Sequence, residues 1–171
     1  MGGKNLTYDW PVSTPTADLT TSKLHWNIFL SEPGGKYLIV EVNEIYLKNT
    51  INKNEYDKTA IKITPQEIKD KYDLNNNQSD SYVCVIFIKV IYGLVQADII
   101  AHKVLKENLK PYGYAPSIIT QGFWTHQDRM IKFTLVVEYF GIKYRNNKDT
   151  DHLIAAFQEK YEVTQYWTGG I

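Results

Sequence analysis

The stretch that decides the fold is FTLVVEYFGIKY, residues 133–144, an apolar run with Glu138 near its centre. Residues 133–137 and 140–144 are rich in β-branched and aromatic side chains, which favour strands. Two such runs joined by only two residues, Glu138 and Tyr139, predict a β-hairpin, although Glu-Tyr is a poor turn pair. The alternative interpretation is one long strand that carries an isolated glutamate.

A second strand is predicted for residues 36–43. Its residues alternate between two faces, with Leu38, Val40 and Val42 on one and Tyr37, Ile39, Glu41 and Asn43 on the other. Glu41 therefore shares a face with apolar neighbours. A continuous apolar strand is also predicted at residues 82–90, after an exposed loop at 73–80.

A short helical or irregular stretch is expected near residues 23–30, and clearer helical signals lie between the strands. Thr64-Pro-Gln-Glu67 has the pattern of a capping box and predicts a short helix to about residue 72. Apolar residues at helical spacing predict a helix from about Val95 that stops at Pro111, and Asp149 or Thr150 is predicted to cap a last helix before a strand at 161–167. The resulting order is β-α-β-β-α-β, the split ferredoxin-like arrangement, in a single domain over residues 1–171.

Composition limits the class of protein. The chain has 171 residues with 19 basic and 19 acidic side chains, so it lacks the broad positive field of a tight nucleic-acid binder. The lone Cys84 allows no disulfide within the chain, and the four histidines lack the spacing of metal ligands. No secretory leader or long apolar span is recognised, so we expect an intracellular location, cytoplasmic or nuclear, without a membrane segment.

Three motifs in chain order resemble one known family. Val40-Glu-Val-Asn-Glu-Ile-Tyr-Leu47 is similar to a first catalytic strand, Tyr92-Gly-Leu-Val-Gln-Ala97 to an intact Tyr-Gly-Leu-x-Gln-Ala motif, and Leu135-Val-Val-Glu-Tyr-Phe140 to a segment carrying Tyr/Val-x-Asp-Asp. The family is the reverse transcriptases of copia-type LTR retrotransposons. Pro15-Thr-Ala-Asp-Leu-Thr-Thr-Ser-Lys23 also looks like the segment before that first strand, so the resemblance covers nearly the whole chain.

The resemblance implies the palm of an RNA-directed DNA polymerase, an antiparallel sheet with helices on one face. Its reaction uses two Mg²⁺ ions, an RNA or DNA template-primer and a deoxynucleotide. Residues 1–35 would be an irregular lead-in with remnant fingers, and the upstream fingers, the thumb and the ribonuclease H region would be absent. Glu41 and Glu138 then occupy metal-ligand positions, and Tyr139 replaces the second aspartate of the family pair.

Four further positions carry substrate contacts in that comparison. Tyr46 falls at the aromatic position that screens the sugar 2′-hydroxyl, and Gln96 lies beside the incoming nucleotide and template. Tyr92 and Gly93 belong to the same intact motif as Gln96. Each position also has a plainer explanation. Glu41 fits a solvated residue on an open sheet face, Tyr46 fits core packing, and Gly93 fits an ordinary turn glycine.

The substitutions predict loss of chemistry. Glutamate keeps the charge of aspartate but adds a methylene, which moves the ligand oxygens by roughly 1 Å, and such a misplacement costs about a hundredfold in rate. We therefore expect Mg²⁺ not to be held productively and the chain to be a degenerate, inactive copy. Two alternatives stay open: a repurposed non-catalytic module that binds nucleic acid or protein, with little nucleic-acid affinity alone, and a weakly active polymerase with glutamate ligands.

Overall fold

The computed structural model describes residues 16–74, 76, 81–94 and 96–170, with the side chains of residues 52–54 excepted. These ranges contain four α-helices and eight strands: α1 (Leu19–Leu30), β1 (Lys36–Asn43), β2 (Thr50–Ala60), α2 (Gln66–Lys71), β3 (Tyr82–Lys89), α3 (Ala97–Leu109), β4 (Tyr114–Pro116), β5 (Phe123–His126), β6 (Lys132–Val136), β7 (Tyr139–Tyr144), α4 (Asn147–Gln158) and β8 (Glu162–Gly170). No helix in the described part of the chain has the length and apolar character needed to cross a lipid bilayer.

The strands form two antiparallel sheets. The larger has six strands in the order β4-β5-β6-β7-β1-β8, and β2 pairs with β3 in a separate two-stranded sheet. β1 is internal, because Val40 lies opposite Phe140 of β7 on one side and Gln165 of β8 on the other. The mixed α+β class predicted from the sequence is confirmed.

The central hairpin is confirmed, but its turn lies one residue earlier than predicted. Val136 pairs with Tyr139, so the two connecting residues are Val137 and Glu138, and Tyr139 begins β7. Val137 has a φ of 59°, a left-handed conformation that a β-branched residue adopts with difficulty. Pairing of the flanking strands therefore fixes the turn against the preference of its own residues.

The helix caps differ from the predicted ones. α4 begins at Asn147, because the Asn146 side chain caps it by accepting a hydrogen bond from the Asp149 N–H at 3.2 Å. α2 forms where predicted, but the Thr64 hydroxyl donates to the Ala60 carbonyl at 3.2 Å and no side chain caps the helix. The predicted capping residues were wrong, while the helices themselves were correctly predicted.

The main core lies on one face of the six-stranded sheet. Leu38, Val40 and Val42 of β1 are buried there, as the alternation in the sequence predicted. Helices α3 and α4 cover this face, and the ring of Phe157 in α4 lies 4.7 Å from that of Phe140. Aromatic and aliphatic side chains from both helices and from five strands, β1, β4, β5, β6 and β7, thus share one cluster.

The opposite face is covered in part by α1, which corrects two predictions. The lead-in is predicted as irregular over residues 1–35, but its described part contains a twelve-residue helix that begins at Leu19, with Asp18 accepting a hydrogen bond from the Thr21 N–H at 2.6 Å; residues 1–15 lie outside the described residues. The helices also do not all lie on one face of the sheet. Trp26 of α1 contacts Tyr37, with ring centroids 4.6 Å apart, and Tyr37 projects from the face opposite to that of its neighbour Leu38.

Candidate functional site

Strand pairing brings together Glu41, Glu138 and Tyr139, the three positions that the resemblance assigns to metal-binding aspartates. Glu41 lies directly opposite Tyr139 in the β1–β7 ladder, and the Val42 N–H donates to the Glu138 carbonyl at 3.0 Å. Glu41 and Glu138 are both partly buried, whereas Tyr139 is 43% exposed. The hairpin turn and the end of β1 therefore lie together at one corner of the sheet. Glu41, Glu138 and Tyr139 are called the acidic corner below.

Each glutamate of the acidic corner accepts a hydrogen bond from a tyrosine hydroxyl. Tyr92 donates to Glu138 Oε2 at 2.7 Å, and Tyr166 of β8 donates to Glu41 Oε2. Burial, followed by the hydrogen bond to Glu138, raises the pKa of Tyr92 to about 12. The hydrogen bond to Glu41, followed by burial, raises the pKa of Tyr166 to about 12. Both phenols therefore remain neutral donors at physiological pH.

Tyr46 is linked to the acidic corner through Tyr92. Its ring is 4% exposed and meets the ring of Tyr92 edge-on, with centroids 4.8 Å apart. Its hydroxyl donates to Asp98 Oδ1 at 2.6 Å, and burial together with this bond raises the pKa of Tyr46. The core-packing interpretation of Tyr46 and its place beside the acidic corner both hold in this structure.

Gln96 and Gly93 lie at the start of α3. Gln96 is 6% exposed and its side-chain amide donates to Glu55 Oε1 of β2 at 2.9 Å. Gly93 has a φ of 86°, and a side chain there would meet no atom within 4 Å. Gly93 thus has the backbone conformation of a turn glycine, and Gln96 joins α3 to the small sheet.

A groove of about 530 Å³ opens beside the acidic corner. It runs between α1 and the uncovered face of the sheet, and its walls include Lys23, Trp26, Asn27, Val136 and Tyr139. Trp26 and Tyr139 are 36% and 43% exposed, so both ring surfaces are accessible to a ligand. No pattern in the sequence predicts this groove, because it depends on how α1 packs against the sheet.

The side chains at the acidic corner do not fit a two-metal centre. Such a centre needs short carboxylates that hold two cations about 3.5–4 Å apart. Here the third position is a neutral phenol, and each glutamate already accepts a hydrogen bond through Oε2. Within the described ranges, no group of three or more His, Cys, Asp or Glu side chains is arranged to hold a metal ion.

Sequence reasoning missed several residues around the site. Tyr166 lies on the same face as Glu41 because Thr164, two residues before it, is opposite Glu41 in the β1–β8 ladder. Tyr166 is also the extra residue of a β-bulge, since Ile39 lies opposite Trp167 and Val40 opposite Gln165. Such a bulge has no reliable sequence signal. Elsewhere, His126 and His152, distant in sequence, lie with ring centroids 5.7 Å apart, and His126 Nδ1 accepts from the backbone N–H of Asp128.

Comparisons of the chain with protein-family models, with curated proteins and with solved structures find no match.

Proposed function

We propose that this chain is the palm of a copia-type retrotransposon reverse transcriptase that has lost its polymerase activity. The observation that carries the proposal is the acidic corner. The motif resemblance assigns Glu41, Glu138 and Tyr139 to the metal-binding aspartates. Glu41 is remote in sequence from the other two, yet it lies opposite Tyr139 at the start of β7 and next to the turn that contains Glu138. The motifs themselves say nothing of this strand pairing.

The topology of the large sheet supports the same proposal. α3 lies in the chain between β1 and β6, yet β7 separates these two strands in the sheet. α4 joins β7 to β8, and β1 lies between them. Two interleaved crossovers of this kind are expected of a split β-α-β-β-α-β arrangement, and they therefore support the proposed palm. In this proposal β2, α2, β3, β4 and β5 are insertions, and α1 precedes the first strand.

The chemistry at the acidic corner supports loss of activity. Two-metal catalysis requires ligands that hold the attacking 3′-oxygen and the leaving phosphate oxygen in line. Glu41 and Glu138 have longer side chains than aspartate and accept hydrogen bonds from phenols, and Tyr139 brings no charge. No step of nucleotide addition is assigned to these residues.

Calorimetric titration with Mn²⁺ tests the proposal. The unmodified chain is expected to give no binding heat from the acidic corner. The triple variant Glu41→Asp, Glu138→Asp, Tyr139→Asp is expected to bind Mn²⁺ at least about tenfold more tightly, a gain of about 1.4 kcal/mol, because short carboxylates then converge on one point.

The matched control for this titration carries Glu67→Asp and Glu107→Asp, two exposed positions on other helices. It keeps the acidic corner unchanged and is expected to behave like the unmodified chain. Equal Mn²⁺ affinity in the control and the triple variant would contradict a metal site at the acidic corner.

A second candidate function, a non-catalytic nucleic-acid-binding module, is favoured by the groove beside Tyr139. Stacking of a base on an aromatic side chain contributes about 1–3 kcal/mol and needs no metal. Trp26 and Tyr139 offer two accessible rings, and Lys23 places a positive charge among them. The zero net charge limits this binding to weak affinity.

Fluorescence anisotropy with single-stranded RNA and DNA oligonucleotides tests the second candidate. Binding is expected to weaken as salt rises, because phosphate contacts release counterions. Replacing Trp26 and Tyr139 together by alanine is expected to weaken binding by about tenfold or more. Tyr72→Ala, at an exposed tyrosine outside the groove, is the matched control. A salt-independent signal, or an equal loss in the control, would remove this candidate.

A further inference from the structure

Two tyrosines from separate elements each donate one hydrogen bond to the acidic corner. Tyr92 comes from the turn before α3 and reaches Glu138 at 2.7 Å. Tyr166 comes from the bulge in β8 and reaches Glu41. Each glutamate thus accepts a hydrogen bond from a different phenol, and the two phenols belong to different parts of the fold.

The two glutamates lie at the same end of the sheet. Glu41 lies directly opposite Tyr139, the residue after Glu138, and the Val42 N–H donates to the Glu138 carbonyl at 3.0 Å. Two carboxylates that share a site repel each other, and in a two-metal centre cations offset that repulsion. The donor set here does not fit such cations, whereas the two phenols donate directly to the two carboxylates.

Strand β8 supplies the hydrogen-bond donor to Glu41. Thr164 lies opposite Glu41, and because side chains alternate along a strand, Tyr166, two residues further on, projects from the same face as Glu41. Tyr166 is also the extra residue of the β-bulge in this strand. Its ring lies 6.0 Å from that of Tyr139, within the acidic corner.

We propose that Tyr92 and Tyr166 are positioning residues that hold Glu138 and Glu41 as hydrogen-bonded carboxylates, so that this end of the sheet is stable without a divalent cation. The phenols donate to Glu138 Oε2 and Glu41 Oε2, the carboxylate oxygens that a cation would otherwise contact. The inference concerns the same residues as the proposed function and rests on its assignment of the acidic corner. Its test measures folding and not metal binding by aspartates, so the two fail separately.

Thermal unfolding of the full chain in EDTA and in millimolar Mn²⁺ provides the test. The unmodified chain is expected to unfold at the same temperature in both. Tyr92→Phe with Tyr166→Phe removes both hydroxyls and keeps both rings. This double variant is expected to unfold about 5 °C lower in EDTA, since two hydrogen bonds to carboxylates are lost. Mn²⁺ is expected to recover part of that loss, because the bared carboxylates then accept a cation.

Two controls sharpen the result. Tyr82→Phe removes the hydroxyl of an exposed tyrosine in β3 and is expected to leave both unfolding temperatures unchanged. Adding Glu41→Gln and Glu138→Gln to the double variant removes the repulsion, and is expected to restore stability in EDTA and abolish the response to Mn²⁺. If the double variant does not fold, the two single tyrosine variants are measured, each with a smaller loss and the same Mn²⁺ response.

Three outcomes would overturn the proposal. The first is a double variant, or a pair of single variants, that unfolds like the unmodified chain. The second is a loss of stability that Mn²⁺ does not reverse, which would give the tyrosines a general packing role. The third is an unmodified chain that Mn²⁺ already stabilises. In each case the Mn²⁺ titration of the aspartate variant stays interpretable, so palm descent is judged on its own result.

Discussion

Primer extension is expected to rise on the order of ten-thousandfold when Glu41, Glu138 and Tyr139 are all replaced by aspartate. The protein for this test is a fusion of the chain with the fingers and thumb of an active copia-type enzyme, called the completed chain below. Each glutamate displaces its ligand oxygens by roughly 1 Å, and a displacement of that size costs about a hundredfold. Two such changes multiply to about ten-thousandfold if they act independently. Tyr139→Asp adds the charge that the corner lacks, because a phenol at that position brings no carboxylate to the metal pair.

The measurement is incorporation of labelled deoxynucleotide on an RNA template with Mg²⁺ or Mn²⁺. Three reference proteins accompany it: the completed chain without the substitutions, the isolated chain with them, and the completed chain with only the two Glu→Asp changes. Activity confined to the fully substituted protein joined to fingers and thumb would support loss of activity through the residues at these three positions. Extension by the unsubstituted isolated chain above background would instead support a weakly active polymerase with glutamate ligands.

Gly122→Ala is expected to destabilise the fold by about 2–5 kcal/mol. Gly122 has a φ of 70°, and a Cβ there would lie 1.9 Å from the backbone nitrogen of Ala17. The left-handed conformation costs about 1–2 kcal/mol for a residue with a Cβ. Forcing atoms into a filled site adds about 1–3 kcal/mol. Ala17 in turn donates to the Leu135 carbonyl at 2.8 Å, so the new methyl would push the start of α1 away from the sheet.

Gly34→Ala is the matched control, measured by the same urea denaturation. Gly34 has a φ of 73°, but a Cβ there would meet no atom within 4 Å. Only the conformational cost of about 1–2 kcal/mol is expected at this position. The difference between the two variants in the free energy of unfolding measures the cost of the close approach of Gly122 to residues 16 and 17. Equal losses at both glycines would contradict that interpretation.

The sequence predicts the parts of the fold whose pattern is local. β1 has the predicted bounds, because Leu38, Val40 and Val42 alternate with residues of the other face. β2 is not predicted, because Asn52, Lys53, Asn54 and Glu55 give it no apolar alternation. α1 is predicted only as a short helical or irregular stretch, since its apolar residues do not fall on one face and its position depends on Tyr37 across the sheet.

The candidate-site residues also fall into two groups: those that motifs identify, and those whose contacts depend on elements remote in sequence. Glu41, Glu138 and Tyr139 are found from motifs, and strand pairing brings them together. Tyr46, Tyr92 and Gln96 are found as positions, but their hydrogen-bond partners Asp98, Glu138 and Glu55 are not, because each partner lies on an element remote in sequence. Tyr166 is not predicted at all, because its place beside Glu41 depends on the pairing of β8 with β1, two strands that are remote in sequence.

The central position of β1 has a consequence for how the chain is made. Both strands that flank β1 come late in the sequence, since its residue Lys36 pairs with Tyr144 on one side and with Gly170 on the other. Ribosomal synthesis at about 5–20 residues per second therefore leaves β1 without either neighbour for several seconds. Loop closure over roughly a hundred residues slows its pairing further. A nascent chain halted before β8 would expose one flank of β1 to chaperones and proteases.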